Sequence, residues 1–177
     1  VVVAAHSEWH ATYGVWRDDV ADCDLGGEVD TLVRGAWPTV RVVGKHQHLL
    51  QRPYVVFDNS RLRSSLLAGV QVQHDTAVQA EHTTDTTSLR LHSGATITAL
   101  LVIDATGSGE LLARRTPTGG AQTAYGLLLG TASGTGSADV VRSSGIEPGV
   151  FTLMDWSTPP TFFYGAQFHD GRTLVEE

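Results

Sequence analysis

The stretch Leu100-Leu101-Val102-Ile103-Asp104-Ala105-Thr106-Gly107 most constrains the fold. Four apolar residues in a row, closed by a small-residue turn, give the pattern of a strand buried on both faces, as in a parallel sheet. Ala105 and Gly107 leave room for a backbone or a ligand to approach that turn. Strand-and-turn units of this kind occur in dinucleotide-type folds and as plain structural turns, so the meaning rests on the flanks. Upstream, Val1-Val2-Val3-Ala4-Ala5 reads as a short buried parallel strand. In between, Val70 with Val72, Ala77-Val78 and Leu89-Arg90-Leu91 read as short strands, with turns around Thr83 to Thr87 and at Ser93-Gly94. Three short antiparallel strands ahead of a buried one fit a sheet layered against a parallel sheet.

The remaining segments alternate between loop and strand. Trp9 to Trp16 (WHATYGVW) carries too many aromatics, and a glycine at Gly14, to form an amphipathic helix. It reads as a loop over a pocket or as aromatic packing at a domain seam. Arg17 to Asp24 holds four aspartates and reads as a solvated face, with a metal role for Asp18 and Asp19 as the lesser alternative. Residues 32 to 43, around Trp37 and Pro38, suggest an edge strand or an extended connection. Pro53 precedes a strand at Tyr54-Val55-Val56-Phe57. Asp58 or Asn59 then caps a short helix over Ser60 to Ala68, which Gly69 ends in the left-handed conformation. Glu110-Leu111-Leu112 reads as a helical turn and Thr116 to Gly120 as a loop. Gln122 to Leu129 reads as a strand with Gly126 as a bulge or close-packing site. After the Gly/Ser-rich segment 130 to 149, residues 151–156, 161–168 and 173–176 read as strands of an antiparallel sheet.

Composition removes several classes of function. The net charge is −7 and the twelve Lys and Arg are scattered, so no basic stripe points to nucleic acid. The single cysteine, Cys23, excludes an internal disulfide framework or a multi-cysteine zinc site and fits a reducing compartment. No apolar run is long enough to cross a bilayer as a helix. His6 with His10, or His46 with His48, can share a face, but neither pair has a third ligand nearby and zinc needs three or four. Hydrogen-bonding histidines, and no metal, are the expectation. These residues contain no GxGxxG, Walker or nucleophile-elbow sequence. The chain opens in mid-strand and stops directly after a strand-like segment, which suggests a part of a longer protein.

A carboxylate pair among aromatics remains. Glu176 and Glu177 follow Leu174-Val175, and adjacent strand residues point to opposite faces, so one glutamate is expected to face the interior. An inward glutamate in apolar surroundings has its pKa raised by desolvation and can donate a proton. Trp156, Phe162, Phe163 and Tyr164 come from the two preceding strands and are placed to line the same cavity. Each well-placed ring face stabilises a cation by roughly 0.5–2 kcal/mol. Acid plus aromatics suits carbocation chemistry on an alkene. The same residues also describe a sheet core with two solvated glutamates at its end.

Eight segments, in order, resemble one family: Trp9 with Tyr13-Gly14-Val15-Trp16, Arg52-Pro53-Tyr54, Leu62 through Gly69-Val70, Val102-Ile103-Asp104-Ala105-Thr106-Gly107, Gln122-Thr123-Ala124-Tyr125-Gly126, Met154-Asp155-Trp156, Pro160-Thr161-Phe162-Phe163-Tyr164 and Leu174-Val175-Glu176-Glu177. Together they cover nearly the whole chain, and they resemble the lycopene cyclase family, the FAD-dependent enzymes of carotenoid biosynthesis. The last segment is similar to the family motif written FLEET.

The resemblance implies an α/β fold of the hydroxybenzoate-hydroxylase type. Residues 1–112 would be part of the FAD-binding domain, its glycine-rich loop lying upstream, and residues 113–177 part of a β-rich antiparallel substrate domain. It further implies closure of the linear end of lycopene to a β-ionone ring without net redox change, with FAD in its reduced form and NADPH as reductant. By the same resemblance Glu176 is the acid or cation-stabilising group, Trp156, Phe162 and Tyr164 contact substrate, and Asn59, Ala77, Ala105 and Gly107 contact the cofactor. The protein is then expected to be cytoplasmic with peripheral membrane contact, because its substrate dissolves in membrane. A related flavin hydroxylase or prenyl reductase, or an inactive apolar-ligand binder, are the alternatives. The chain departs from the family pattern in three places. It has Val3-Ala4-Ala5-His6 where an acidic residue usually ends the early strand, Asn59 where relatives commonly carry arginine, and no proline near the end of Phe162 to Gln167.

Overall fold

A computed structural model describes residues 1–5, 8–106, 111–112, 123–130 and 145–177. In chain order the elements are β1 (Val2–Ala4), β2 (Gly14–Trp16), a 3-10 turn (Arg17–Val20), α1 (Val29–Leu32), β3 (Val33–Trp37), β4 (Thr39–Val43), β5 (Gln47–Leu50), β6 (Tyr54–Phe57) and α2 (Asn59–Leu66). They continue with β7 (Val72–His74), β8 (Ala77–His82), β9 (Thr87–Leu91), β10 (Thr96–Ala99), β11 (Gly126–Leu129), β12 (Val150–Asp155), β13 (Phe163–Gln167) and β14 (Thr173–Glu176). The chain separates into two compact units, one of Val1–Trp9 with Leu67–Ala121 and one of His10–Leu66 with Gln122–Glu177. This interleaving differs from the expected boundary at 112/113. Residues 10–66 pack with the C-terminal part because β4 lies parallel to β12, with Val40 opposite Phe151 and Arg41 opposite Thr152.

In the first unit the strand expected at Val1–Ala5 forms as β1, with Val1 and Val2 exposed rather than buried. The strand expected at Val70 and Val72 pairs with it in parallel as β7 instead of joining the antiparallel trio, whose third member is β10, in the order β10-β9-β8. Gly94, at φ 90°, makes the turn between β9 and β10. The buried strand expected at 100–103 is absent. The ladder stops at Ala99, and no described strand offers partners to the next residues. Leu100, Leu101 and Ile103 are accordingly 85%, 76% and 80% exposed. Glu110, Gly107 and the loop at 116–120 lie outside the described residues.

The second unit consists of two facing sheets. One has the order β2-β6-β3, the other β11-β14-β13-β12-β4-β5. The latter is mixed rather than purely antiparallel, since β12 and β4 run parallel. The segment 33–43, expected as an edge or connection, forms one strand in each sheet, with β4 inside the larger one. Pro38, which has no N–H to give to a ladder, sits at the change of sheet. Gly14–Trp16, expected as loop, is paired with Val56 to Tyr54 of β6. Between the sheets lie Trp37, Val40, Val56, Phe151, Ala166, Phe168 and Leu174, with Tyr54, Leu153 and Tyr164 packed against them. Trp37 meets Phe151 and Phe168 edge-on at 5.1 and 5.3 Å, and its Nε1–H donates to the Gln167 carbonyl at 3.1 Å. On the opposite face, the buried Arg41 guanidinium donates to Gly145 O (2.8 Å), Thr152 Oγ1 (2.9 Å) and Glu147 Oε1 (3.2 Å). Those bonds compensate much of the cost of burying its charge and fasten residues 145–147 to the sheet.

Helix α2 starts from Asp58, whose Oδ1 accepts from the amides of Ser60 and Arg61, both at 3.1 Å. The Ser60 hydroxyl, and then the Arg61 amide, hold the Asp58 carboxyl below the usual aspartate range. The capping contribution is therefore complete at neutral pH. It disappears as pH falls below the unfolded aspartate value of about 3.9 and through the lower folded one. Asp58→Ala should cost about 0.5–2 kcal/mol at pH 7, with little difference between variant and wild type at pH 2. Asp58→Asn, which still caps, should cost less at pH 7. Urea unfolding at several pH values checks this.

Candidate active site

Glu176 closes β14, and the register sets it opposite Gly126 of β11 on one side and Tyr164 of β13 on the other. Residues in one such row project from the same face, and here that face looks into the space between the two sheets. A cavity of about 190 Å³ opens there, with Tyr54, Val56 and Gly14 on one wall and Phe151, Leu153, Tyr164 and Glu176 on the other. Glu176 is half-buried, whereas Glu177 is exposed and accepts a hydrogen bond from Thr161 Oγ1 at 2.7 Å.

The cavity couples three ionisable groups. Burial, and secondarily the negative charge of Glu176, pushes the Tyr164 phenol up. Burial, and secondarily Tyr164, does the same to Tyr54. The Tyr54 ring lies 4.7 Å from Phe151 and 5.2 Å from Trp16. One continuous aromatic wall therefore backs the phenols.

Of the expected substrate contacts, only Tyr164 lines this cavity. Trp156 and Phe162 stack on one another at 4.5 Å, and Phe162 meets Tyr164 at 5.2 Å, but neither lines the space beside Glu176. Trp156 follows the end of β12 and Phe162 precedes the start of β13. Tyr54 and Phe151 line the cavity as well. Strand alternation of Tyr54 with Val56 was the signal for the first. Its orientation toward Glu176 follows only from sheet pairing.

A second cavity of about 520 Å³ adjoins the first and shares Thr12, Val56, Leu174 and Glu176 with it. Its lining adds Asn59, His10, Arg34 and Phe168, with the Arg34 guanidinium 4.9 Å from the centre of the Phe168 ring. Asn59 and Glu176, expected in separate roles, thus border one space. Asn59 Nδ2 donates to the Ala11 carbonyl at 2.9 Å, which fixes the amide beside this cavity.

The family profile described as lycopene cyclase protein matches residues 1–177. The chain belongs to the lycopene cyclase family. It is 29% identical to lycopene beta cyclase of Narcissus pseudonarcissus over 96% of its own length and 36% of the relative's. With the lycopene beta cyclase of Capsicum annuum the figures are the same, 29% over 96% and 36%. With capsanthin/capsorubin synthase of Citrus sinensis they are 27% over 97% and 36%. The chain spans just over a third of these relatives. Among solved structures it resembles 2,6-dihydroxypyridine-3-hydroxylase from Arthrobacter nicotinovorans, with TM-score 0.66 and 13% identity over 97% of this chain and 47% of the other. It also resembles the R204Q variant of HpxO from Klebsiella pneumoniae complexed with FAD, with TM-score 0.60 and 14% identity over 98% and 49%. The fold is of the hydroxybenzoate-hydroxylase-like type, as expected.

In this lycopene cyclase family member the other expected cofactor positions fall in the first unit. Ala77 opens β8 opposite Leu91 and is half-buried, Ala105 is exposed, and Gly107 lies outside the described residues. Sequence reasoning passed over their neighbour Asp104. Its Oδ1 accepts from the Thr106 amide (3.0 Å) and hydroxyl (2.7 Å), in that order the chief causes of a carboxyl held below the usual range. Asp104 Oδ2 is closed off from solvent, and the Leu112 amide is a further, smaller cause of the lowered pKa. An ionised carboxylate beside a small-residue turn suits the hydroxyls of a sugar or ribityl chain. An acidic residue directly after a long apolar run was the available signal. Elsewhere, Arg52 pairs with Asp18 (2.9 Å) and Asp19 (2.5 Å) and lies 4.7 Å from the Trp16 ring, so those two aspartates serve an ion pair that ties the 3-10 turn to the chain before β6.

The coupling of Tyr164 to Glu176 is measurable without turnover. Glu176→Gln removes the negative charge, so the Tyr164 phenol should titrate lower than in wild type while burial keeps it above the ordinary tyrosine value. Ultraviolet titration checks the shift, with Tyr164→Phe identifying the band.

Proposed function

We propose that the full-length protein closes the end of lycopene, or of a related acyclic carotenoid, to a β-ionone ring without net redox change. FAD would be bound in its reduced form with NADPH as reductant. The observation that carries this reading is the position of Glu176, at the junction of two cavities, beside two half-buried phenols and within the space bordered by Asn59. The names of the relatives support the carotenoid substrate, and the fold, with the acceptor chemistry of Asp104, supports the flavin.

Glu176, protonated, donates its proton to the terminal double bond and leaves a tertiary cation. The ring faces of Tyr54, Phe151 and Tyr164 shield that cation from water and stabilise it, each by roughly 0.5–2 kcal/mol where well placed. The chain's next double bond attacks the cation and closes the ring. The Glu176 carboxylate then takes a proton from a neighbouring carbon, which restores the acid and leaves atoms and electrons balanced. Asp104 would hold FAD hydroxyls. Reduced flavin, when bound, supplies negative charge opposite the cation. Delivery of so apolar a substrate implies a cytoplasmic protein in peripheral contact with the membrane.

Expression of the full-length frame in lycopene-accumulating bacteria, followed by pigment analysis, tests the reading. Glu176→Gln should lose roughly 100-fold or more of the cyclisation rate with bound flavin retained. Glu177→Gln, at an exposed position, should keep most of it. Wild-type cyclisation by Glu176→Gln would remove Glu176 from the mechanism. Oxygenated or hydrogenated products with matching NADPH consumption would mark a flavin oxidoreductase instead.

A further inference from the structure

The row Gly126–Glu176–Tyr164 is asymmetric: Tyr164 fills one side of the glutamate and no side chain fills the other. Gly126 has no positive φ, so its backbone is one that any residue adopts. A Cβ built there would lie 2.9 Å from Glu176 Oε2, 3.4 Å from Cγ and 3.5 Å from Cδ. The space that the missing side chain leaves is therefore taken up by the carboxyl group, which leans over β11 toward the larger cavity. The facing sheet repeats the device. At Gly14, also without a positive φ, a Cβ would lie 2.6 Å from the Tyr54 hydroxyl oxygen.

We propose that Gly126 is a positioning residue for Glu176: by carrying no side chain it lets the carboxyl group rest across β11 at the junction of the two cavities. This rests on the reading of Glu176 as the acid. The atom that a methyl group would displace is the far end of a flexible side chain. Gly126→Ala is thus expected to keep the fold and move the carboxyl group toward Tyr164, out of line with an alkene held in the cavity. Misplacement of an acid lowers the chemical step more than substrate binding.

In the full-length protein, Gly126→Ala should lower kcat at least tenfold and leave KM for lycopene within about twofold. Bound flavin and the melting temperature should stay at wild-type values, and the pH profile of kcat should be displaced. Gly44→Ala, at an exposed glycine where a Cβ meets nothing within 4 Å, serves as the neutral control. In a Glu176→Asp background the shorter acid no longer reaches the added methyl, so Gly126→Ala should cost much less there than in wild type. Wild-type kcat and pH profile for Gly126→Ala, with Glu176→Gln inactive, would overturn the positioning role alone. Equal losses in the Glu and Asp backgrounds, including loss of fold in both, would also overturn it. An active Glu176→Gln would instead overturn the reading beneath it.

Discussion

The parallel ladder between β4 and β12 is the interaction on which the site depends. It joins residues 39–43 to residues 150–155, more than a hundred positions apart, and β13 and β14 are laid down beside it by short antiparallel connections. Only through this ladder does β14 come to lie across from β6, and Glu176 across from Tyr54. The packing that secures it is aromatic on the inner face, through Trp37, Phe151 and Phe168, and polar on the outer face, through Arg41 and Thr152. Large rings buried at such a seam contribute through area and through edge-on geometry. Loss of this seam would remove the site before it removed any single catalytic group.

Local features of the fold were legible in the sequence, and distant ones were not. The strand after Pro53, the Asp58 cap, the turn at Gly94 and the strands β8 and β9 follow from turn chemistry and alternation within a few residues. The double role of residues 33–43 was hidden because Pro38 divides one apolar stretch between two sheets. The apolar run at 100–103 carried the right composition for a buried strand, yet burial needs partner strands on both sides, which composition alone does not supply.

The site shows the same division. Alternation along Leu174-Val175-Glu176-Glu177 placed one glutamate on the inner face and left the other outside, since it needs only the period of a strand. The aromatic lining required knowing which strand lies opposite: proximity in sequence pointed to Trp156 and Phe162, while the cavity beside Glu176 is lined by Tyr54, Phe151 and Tyr164. Family resemblance supplied Asn59, which does border the larger cavity, but it did not draw attention to Asp104.

Several of the acidic residues are held by arginine. Asp18, Asp19, Asp30, Asp58, Asp170 and Glu147 each pair with an arginine. Glu176 has no such partner among the described residues and is flanked instead by a phenol and a glycine. An arginine in that row would lock the group as a carboxylate, which suits a structural tether and defeats a group that must give and retake a proton. In the mechanism proposed above, the ring faces beside it suit a cationic intermediate. Under that proposal the spared space at Gly126 and the lack of an arginine partner among the described residues serve one end: a carboxyl group free to be set against a substrate.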